Sequence, residues 1–259
     1  MKKLLACLAM VALLAGCNEK QEQKAQGDAS LDKVKSAGVF VLGLDDSFPP
    51  MGFRDKDNNI VGFDIDLATE VCARLGVTLK TQPISWDAKE QELNTGKIDC
   101  IWNGLSVDPE RAAAMNLSSP YLKNRMIFTV KDKALASLAS LAGKKIAVQN
   151  GSTAQKLLDA SAAGQAAKEI VPFDDNQTAL MDLEKGGVDA VFLDEIVAKY
   201  WIVQNAKDYV VLEEGLSDEE YAIGFRKGDQ KLHDAVDSAL AAMKADGKFD
   251  EIHAKWFGK

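Results

Sequence analysis

Apolar residues along this chain alternate between short β-branched runs and longer segments with helical spacing. The runs at 39–42, 98–102, 145–148 and 188–192 are typical of buried strands. One helical segment is well defined, because Leu67, Val71 and Leu75 form an apolar stripe that Gly76 ends and that Asp64 is expected to cap. The alternation of strands and helices predicts an α/β fold.

A weak internal repeat lies in the middle of the chain. Residues 93–102 and 183–192 each combine the end of a helix, a glycine and a buried strand that carries an aspartate. The repeat predicts two similar α/β lobes, with chance similarity between two common junctions as the alternative. In equivalent lobes, the loops at 103–106 and 193–195 follow corresponding strands, at the edge where open α/β sheets bind ligands.

The N-terminus has the pattern of an export signal. Lys2 and Lys3 precede an apolar run at 4–14 that is too short to span a bilayer, so we expect residues 1–16 to be a cleaved signal peptide. The run ends in Leu-Ala-Gly-Cys, which resembles the lipobox of bacterial lipoproteins and implies a lipid on Cys17. An ordinary signal with an incidental cysteine is the alternative. The polar residues that follow, up to residue 30, predict a flexible tether.

Composition and charge narrow the class of protein. The chain has 259 residues, 47% of them hydrophobic, which excludes a disordered or low-complexity protein. Its net charge of −8 and the lack of a basic cluster argue against nucleic-acid binding. Cys72 and Cys100 remain after export, and we favour two buried free thiols over a bridge. His233 and His253 have no ligand-spaced neighbours, so no metal site and no cofactor are predicted.

Charged and hydroxyl side chains in the loops suggest a site for a zwitterion. Gly151, Ser152 and Thr153 open a helix, whose free N–H groups and hydroxyls suit a carboxylate. Arg111 can grip a carboxylate through two parallel hydrogen bonds, and Asp194 can accept from an ammonium group.

Two aromatic residues lie in loops outside any periodic stripe. Phe48 and Trp86 are placed to cover the apolar stem of a ligand, and Trp86 to add a cation–π contact to a basic one. The alternative is that both only cap the hydrophobic cores.

The order and spacing of these motifs resemble the polar amino-acid-binding proteins of ABC importers, the family-3 extracellular solute-binding proteins. The resemblance covers residue 31 to the end of the chain. The segments that carry it are VLGLDDSFPPM (41–51), GFDIDLA (62–68), GKID (96–99), LSV (105–107), ER (110–111), SSPY (118–121), LAGKKIAV (141–148), GST (151–153) and DE (194–195).

The resemblance implies a hinged α/β protein with two lobes, the type II periplasmic-binding-protein fold, in which each lobe is an open sheet flanked by helices. Lobe 1 would comprise residues 31–123 and 220–259, and lobe 2 residues 124–219. The protein would close on one amino acid without catalysing a reaction.

The family's site residues carry over position by position. Arg111 would clamp the α-carboxylate with Thr153 and the backbone at Ser106, while Asp194 and the Gly104 carbonyl would hold the α-ammonium. Phe48 and Trp86 would sandwich the side chain, and Asp45 would reach its polar end. Many relatives have two small residues, often serines, where this chain has Asn103 and Gly104, so an amide or the backbone replaces one hydroxyl contact. We expect a polar or basic amino acid, because Asp45 and Asp46 are acidic.

The same resemblance implies partners and a location. The free amino acid and the ABC permease of the cytoplasmic membrane would be the partners, with a monomer held at the bacterial cell envelope, on its periplasmic or extracellular face, by lipid on Cys17. An exported dehydratase-like enzyme and a ligand-sensing domain on the same scaffold are the alternatives.

Overall fold

The computed structural model describes residues 27–258 of the chain. The predicted signal peptide, the predicted lipidation site at Cys17 and most of the predicted tether lie outside the described residues. Within residues 27–258, no helix is both long and apolar enough to cross a membrane.

Helices and strands alternate along the described chain. The helices are α1 (Ser30–Ala37), α2 (Phe63–Leu75), α3 (Lys89–Asn94), α4 (Pro109–Ala114), α5 (Thr153–Ala160), α6 (Ala162–Ala166), α7 (Asn176–Lys185), α8 (Glu195–Gln204), α9 (Gln230–Ala245) and α10 (Lys248–Phe257), with 3₁₀ turns at Trp86–Ala88 and Leu138–Leu141. The strands are β1 (Val39–Leu44), β2 (Ser47–Phe48), β3 (Gly52–Arg54), β4 (Ile60–Val61), β5 (Thr78–Pro83), β6 (Cys100–Ser106), β7 (Asn116–Leu117), β8 (Leu122–Val130), β9 (Lys145–Gln149), β10 (Glu169–Phe173), β11 (Ala190–Asp194), β12 (Val210–Val211) and β13 (Ser217–Phe225).

Ten strands form one sheet in two halves. The order is β10-β9-β11-β8-β13-β6-β1-β5, with β12 paired to β8 and β7 to β13. The long strands β8 and β13 pair antiparallel with each other and join the half that contains β9 to the half that contains β1. The predicted lobe boundaries, at 123/124 and 219/220, fall inside these two strands, and they stay a prediction.

The two copies of the repeat make the same contact. Asp99 accepts a hydrogen bond from the Val41 N–H at 2.8 Å, and Asp189 accepts one from the Lys145 N–H at 2.8 Å. In each copy the aspartate joins the start of one strand to its parallel neighbour. β6 and β11 begin one residue after the aspartate, two residues later than the apolar pattern predicts.

The predicted helix at 64–75 is present as α2, but the prediction that Asp64 caps it is wrong. Gly62 is the N-cap residue and makes no side-chain cap hydrogen bond. The carboxylate of Asp64 is fully buried and accepts from the Tyr121 hydroxyl and the Gly104 N–H, both at 2.8 Å. The Asp64 carboxylate, which the local sequence predicts to cap the helix, therefore accepts hydrogen bonds from residues that are distant in sequence.

Both remaining cysteines are buried and free, as predicted. Burial raises the pKa of the Cys72 thiol to about 12 and that of Cys100 well above its usual value. Thiols of this kind pack as small apolar side chains and react slowly.

Candidate functional site

A small cavity lies between the two halves of the sheet. Nine of the ten predicted ligand-binding residues line it. The lining residues are Phe48, Trp86, Asn103, Gly104, Ser106, Arg111, Met126, Gln149, Ser152, Thr153 and Asp194.

Arg111 provides the positive charge of the cavity. It lies in the first turn of α4, where the Asp108 carboxylate caps the helix by accepting from the Arg111 N–H at 2.8 Å. The guanidinium is 2% exposed and donates from Nη1 to the Ser106 carbonyl at 2.9 Å. Burial lowers its pKa, although the Asp108 carboxylate opposes this shift. A buried guanidinium paired in part with protein oxygens is suited to a second, anionic partner.

The N-terminus of α5 lines the same cavity as Arg111. Ser152 is the N-cap residue, and its hydroxyl accepts from the Gln155 N–H at 3.1 Å and donates to the Gln149 carbonyl at 2.7 Å. The buried hydroxyl of Thr153 has no hydrogen-bond partner among the described residues. This arrangement leaves the Thr153 hydroxyl for a ligand, whereas that of Ser152 is used to hold the helix terminus.

Asp194 provides the negative charge. It ends β11, and its Oδ1 accepts from Asn124 Nδ2 at 2.7 Å and from the Tyr221 hydroxyl. Burial raises the pKa of Asp194 to about 6, while the two donors and the Arg111 guanidinium act in the opposite direction. The carboxylate is therefore ionised at neutral pH and fixed in orientation by its neighbours.

Gly104 forms one side of the cavity in a conformation that favours glycine. Its φ is +58°, and a Cβ there would approach Phe48 Cε1 to 2.8 Å. The neighbouring Asn103 uses its Oδ1 to accept from the Asp45 N–H at 3.2 Å. Gly104 is also held by Asp64, so two buried side chains fix this stretch of β6.

The two predicted aromatic residues line the cavity and also belong to apolar clusters. Phe48 is 5% exposed and packs in the cluster around α2, whereas Trp86 is 7% exposed and packs against Leu93 and Ile98. Lys89 lies 5.1 Å from the centroid of the Trp86 ring and donates to the Trp86 carbonyl at 3.0 Å. Phe48 and Trp86 can therefore cover a ligand and pack against the hydrophobic core at the same time.

Asp45 is the predicted site residue that does not line the cavity. Its Oδ2 accepts from Gln149 Nε2 at 2.7 Å, and its Oδ1 accepts from the Ser47 N–H at 2.8 Å. Burial raises its pKa to about 6. A protein amide thus occupies the position that the sequence predicted for the polar end of a ligand.

Met126 and Gln149 line the cavity and were not predicted from the sequence. Gln149 is the last residue of the buried strand β9, directly before the Asn150-Gly151 turn, and a polar residue at that position is a usable signal. Met126 lies within β8 and carries no comparable signal, because its approach to the cavity depends on how β8 pairs with β11 and β13.

The sequence matches a protein family and a named relative over most of its length. The model of the bacterial extracellular solute-binding proteins, family 3, matches residues 40–259. The L-cystine-binding protein TcyJ of Escherichia coli (strain K12) is 30% identical over 251 residues, which are 96% of this chain and 92% of that protein.

Two solved structures extend the comparison. An ABC uptake transporter substrate-binding protein from Streptococcus pneumoniae with bound histidine has a TM-score of 0.85 at 36% identity and covers 90% of this chain and 97% of its own. Tv2483 bound to L-arginine has a TM-score of 0.85 at 34% identity, covering 90% of this chain and 96% of its own. These similarities confirm the predicted α/β fold with two lobes.

Proposed function

The chain belongs to the bacterial extracellular solute-binding proteins of family 3, and from that premise we propose that it binds one polar or basic L-amino acid and delivers it to an ABC permease. The observation that carries the proposal is that a buried Arg111 and a buried Asp194 line the same cavity. A zwitterion presents the two opposite charges that such a cavity requires.

The α-carboxylate pairs with Arg111 and accepts from the Thr153 hydroxyl and the N-terminus of α5, where backbone N–H groups and the helix dipole favour an anion. The α-ammonium donates to Asp194 and to the Gly104 carbonyl. Both charges are fully desolvated in the closed cavity, so removal of either partner is expected to cost about 2–5 kcal/mol of binding free energy.

The side chain of the ligand lies between Phe48 and Trp86, whose rings accept an apolar stem or a cation. Asn103 and Gln149 border the same space with amide groups. The Asp45 carboxylate lies nearby and accepts a hydrogen bond from Gln149. Its negative charge favours ligands with polar or basic side chains over purely apolar ones. Histidine, arginine and cystine, the ligands of the similar proteins, all have polar or charged side chains.

Closure is a shift between open and closed states of the two lobes. We assign residues 31–123 and 220–259 to the first lobe and 124–219 to the second, with β8 and β13 as the hinge. Arg111 lies in the first lobe and Asp194 in the second, so only the closed state makes both contacts with the ligand. Lys89 Nζ also spans the lobes, donating to the Gly151 carbonyl at 2.9 Å.

A lipid on Cys17 after removal of residues 1–16 would hold this monomer at the cell envelope beside its permease. The export signal and the lipobox-like sequence support that location. Transport is favoured over the dehydratase-like alternative because the similar proteins include an L-cystine-binding protein and an ABC uptake transporter substrate-binding protein. A sensing role on the same scaffold would use the same closed cavity.

The test uses residues 18–259, purified without lipid, in a thermal-shift screen against the twenty L-amino acids and L-cystine. We expect one polar or basic amino acid to raise the melting temperature, since a ligand that binds only the native state stabilises it. NMR of the recovered ligand should show it unchanged. A screen in which no amino acid shifts the melting temperature, or a ligand recovered as a product, contradicts the proposal. Uptake by the chain reconstituted with its permease separates transport from sensing.

A further inference from the structure

Two side chains face each other at the centre of the hinge. Asn124 of β8 and Glu219 of β13 are paired directly in the antiparallel register. Opposed residues in such a pair have Cβ atoms about 4.5–5.5 Å apart. Both are more than nine-tenths buried, with 6% of Asn124 and 8% of Glu219 exposed.

Each of the two side chains has a buried acceptor without a donor. Asn124 Oδ1 and Glu219 Oε2 have no hydrogen-bond partner among the described residues. The Asn124 amide cannot be turned round, because its Nδ2 donates to Asp194 Oδ1 at 2.7 Å and the reverse orientation would place two oxygens together. A buried acceptor without a donor is costly, and a proton on Glu219 would give this strand pair the donor that it lacks.

We propose that Glu219 is a positioning residue for the ammonium-binding carboxylate: its protonated carboxyl donates to Asn124 Oδ1 and so holds the Asn124 amide against Asp194. The proton supplies the donor that the opposed oxygens lack. Asp194 Oδ1 then remains occupied by Asn124 and Tyr221, and Oδ2 is directed at the ligand. The inference rests on the proposed function of the same cavity.

Charged groups from several elements surround Glu219. Asp194 of β11 and Asp108 of α4 disfavour its ionised form, while Arg111 of α4 and the Ser106 hydroxyl of β6 favour it. Tyr221 lies two residues further along β13, on the same face of the strand.

Burial is the largest influence and raises the pKa of Glu219 to about 7. Asn124 and Glu219 also line an open groove along the hinge, together with Lys123, Arg125, Glu195, Asp218 and Glu220. Protons from solvent therefore have a short route to the Glu219 carboxyl. The protonation state of this carboxyl changes near neutral pH.

Ligand affinity should therefore fall as pH rises through 7. If only the protonated form of Glu219 positions Asp194, the positioned fraction drops from about nine-tenths at pH 6 to about one-tenth at pH 8. Because about half of Asp194 is itself protonated at pH 6, the apparent Kd of the wild type rises about fivefold over this range. Glu219→Gln supplies an N–H donor to Asn124 Oδ1 at every pH, so its Kd should lack this rise. Glu220→Gln changes an exposed carboxylate next in sequence and should keep the wild-type profile.

Isothermal titration calorimetry at pH 6.0, 7.0 and 8.0 tests this with whichever of the twenty L-amino acids and L-cystine gives the largest thermal shift. A wild-type Kd that is constant over this range, or a Glu219→Gln profile that follows the wild type, overturns the inference. A wild-type protein that binds none of these ligands contradicts the proposed function instead. ¹³C NMR of glutamate-labelled wild type needs no variant: one carboxyl should titrate near pH 7 and take up a proton on ligand binding, and a carboxyl that stays ionised throughout overturns the inference.

Discussion

Gln149 donates a hydrogen bond from Nε2 to Oδ2 of Asp45 at 2.7 Å, although the two residues lie 104 positions apart. The bond joins β9 to the loop after β1 across the edge of the cavity. Gln149 is itself held, because its Nε2 also donates to the Asp174 carbonyl and its Oε1 accepts from Asn176 Nδ2, both at 3.1 Å. A buried amide–carboxylate bond of this kind stabilises the closed arrangement directly.

Gln149→Leu should weaken amino-acid binding. Loss of the amide leaves the buried Asp45 carboxylate with one donor fewer, which costs the closed state about 1–3 kcal/mol and raises Kd about 5- to 150-fold. Calorimetry gives the affinity, and small-angle X-ray scattering of the liganded protein should show a larger open fraction. Asn150→Ala is the matched control, since its 3.4 Å contact with Asp87 is exposed. Equal affinities for the two variants would rule out a closing role for Gln149.

Arg111→Ala and Asp194→Ala should each abolish measurable binding while the fold stays intact. Each change leaves one charge of the ligand buried without a partner, at a cost of about 2–5 kcal/mol, or about 30-fold to several thousand-fold in Kd. Calorimetry measures the loss, and circular dichroism checks the fold. Arg54→Ala removes an exposed ion pair with Asp46 and should bind as the wild type does. Near-wild-type affinity in either cavity variant would contradict the site.

The cavity could be predicted largely from the sequence because most of its residues lie in the last part of a strand or soon after it, where polar residues interrupt the apolar runs. Thr153 and Arg111 are also close to helix N-termini, which have local signals of their own. Contacts between distant segments could not be predicted. Asp64 resembles a helix cap locally, but its partners Gly104 and Tyr121 lie 40 and 57 positions away. For Asp45, the partner Gln149 is still more remote in sequence, so only the folded chain reveals that it joins β9 to the loop after β1.

Gly104→Ala should damage both the fold and the site. A left-handed φ of +58° strains a non-glycine residue by about 1–3 kcal/mol, and the new Cβ would meet Phe48 at 2.8 Å. For a domain of this size, the melting temperature should fall by about 2–4 °C for each kcal/mol. Differential scanning calorimetry measures the shift. Gly228→Ala, where a Cβ meets nothing within 4 Å, should leave the melting temperature nearly unchanged. A Gly104→Ala protein as stable as that control would be inconsistent with the strain.

Lys89→Met should weaken ligand binding by reducing contact between the lobes. Lys89 Nζ connects the Trp86 carbonyl, at 3.0 Å, to the Gly151 carbonyl, at 2.9 Å. Charge-assisted hydrogen bonds are worth about 1.5–3 kcal/mol, and methionine keeps most of the apolar stem. Calorimetry should show a higher Kd. Lys133→Met, which removes an exposed pair with Asp208 inside the second lobe, is the control. Unchanged affinity in Lys89→Met would mean that its bonds form equally well in the open state.

Acidic pH should weaken binding through Asp194. Burial raises the pKa of this carboxyl to about 6, and only its ionised form accepts from an α-ammonium group, so ligand binding competes with protonation. At pH 5 the ionised fraction is about one-tenth, which should raise the apparent Kd about tenfold relative to pH 7. Calorimetry in the Glu219→Gln, Asp45→Asn, Asp64→Asn background isolates Asp194 from the other three buried carboxyls whose pKa is raised to about 6 or 7. A ligand without a group that titrates between pH 5 and 7 is required. If Kd stays constant over that range in this background, Asp194 does not hold the ammonium group.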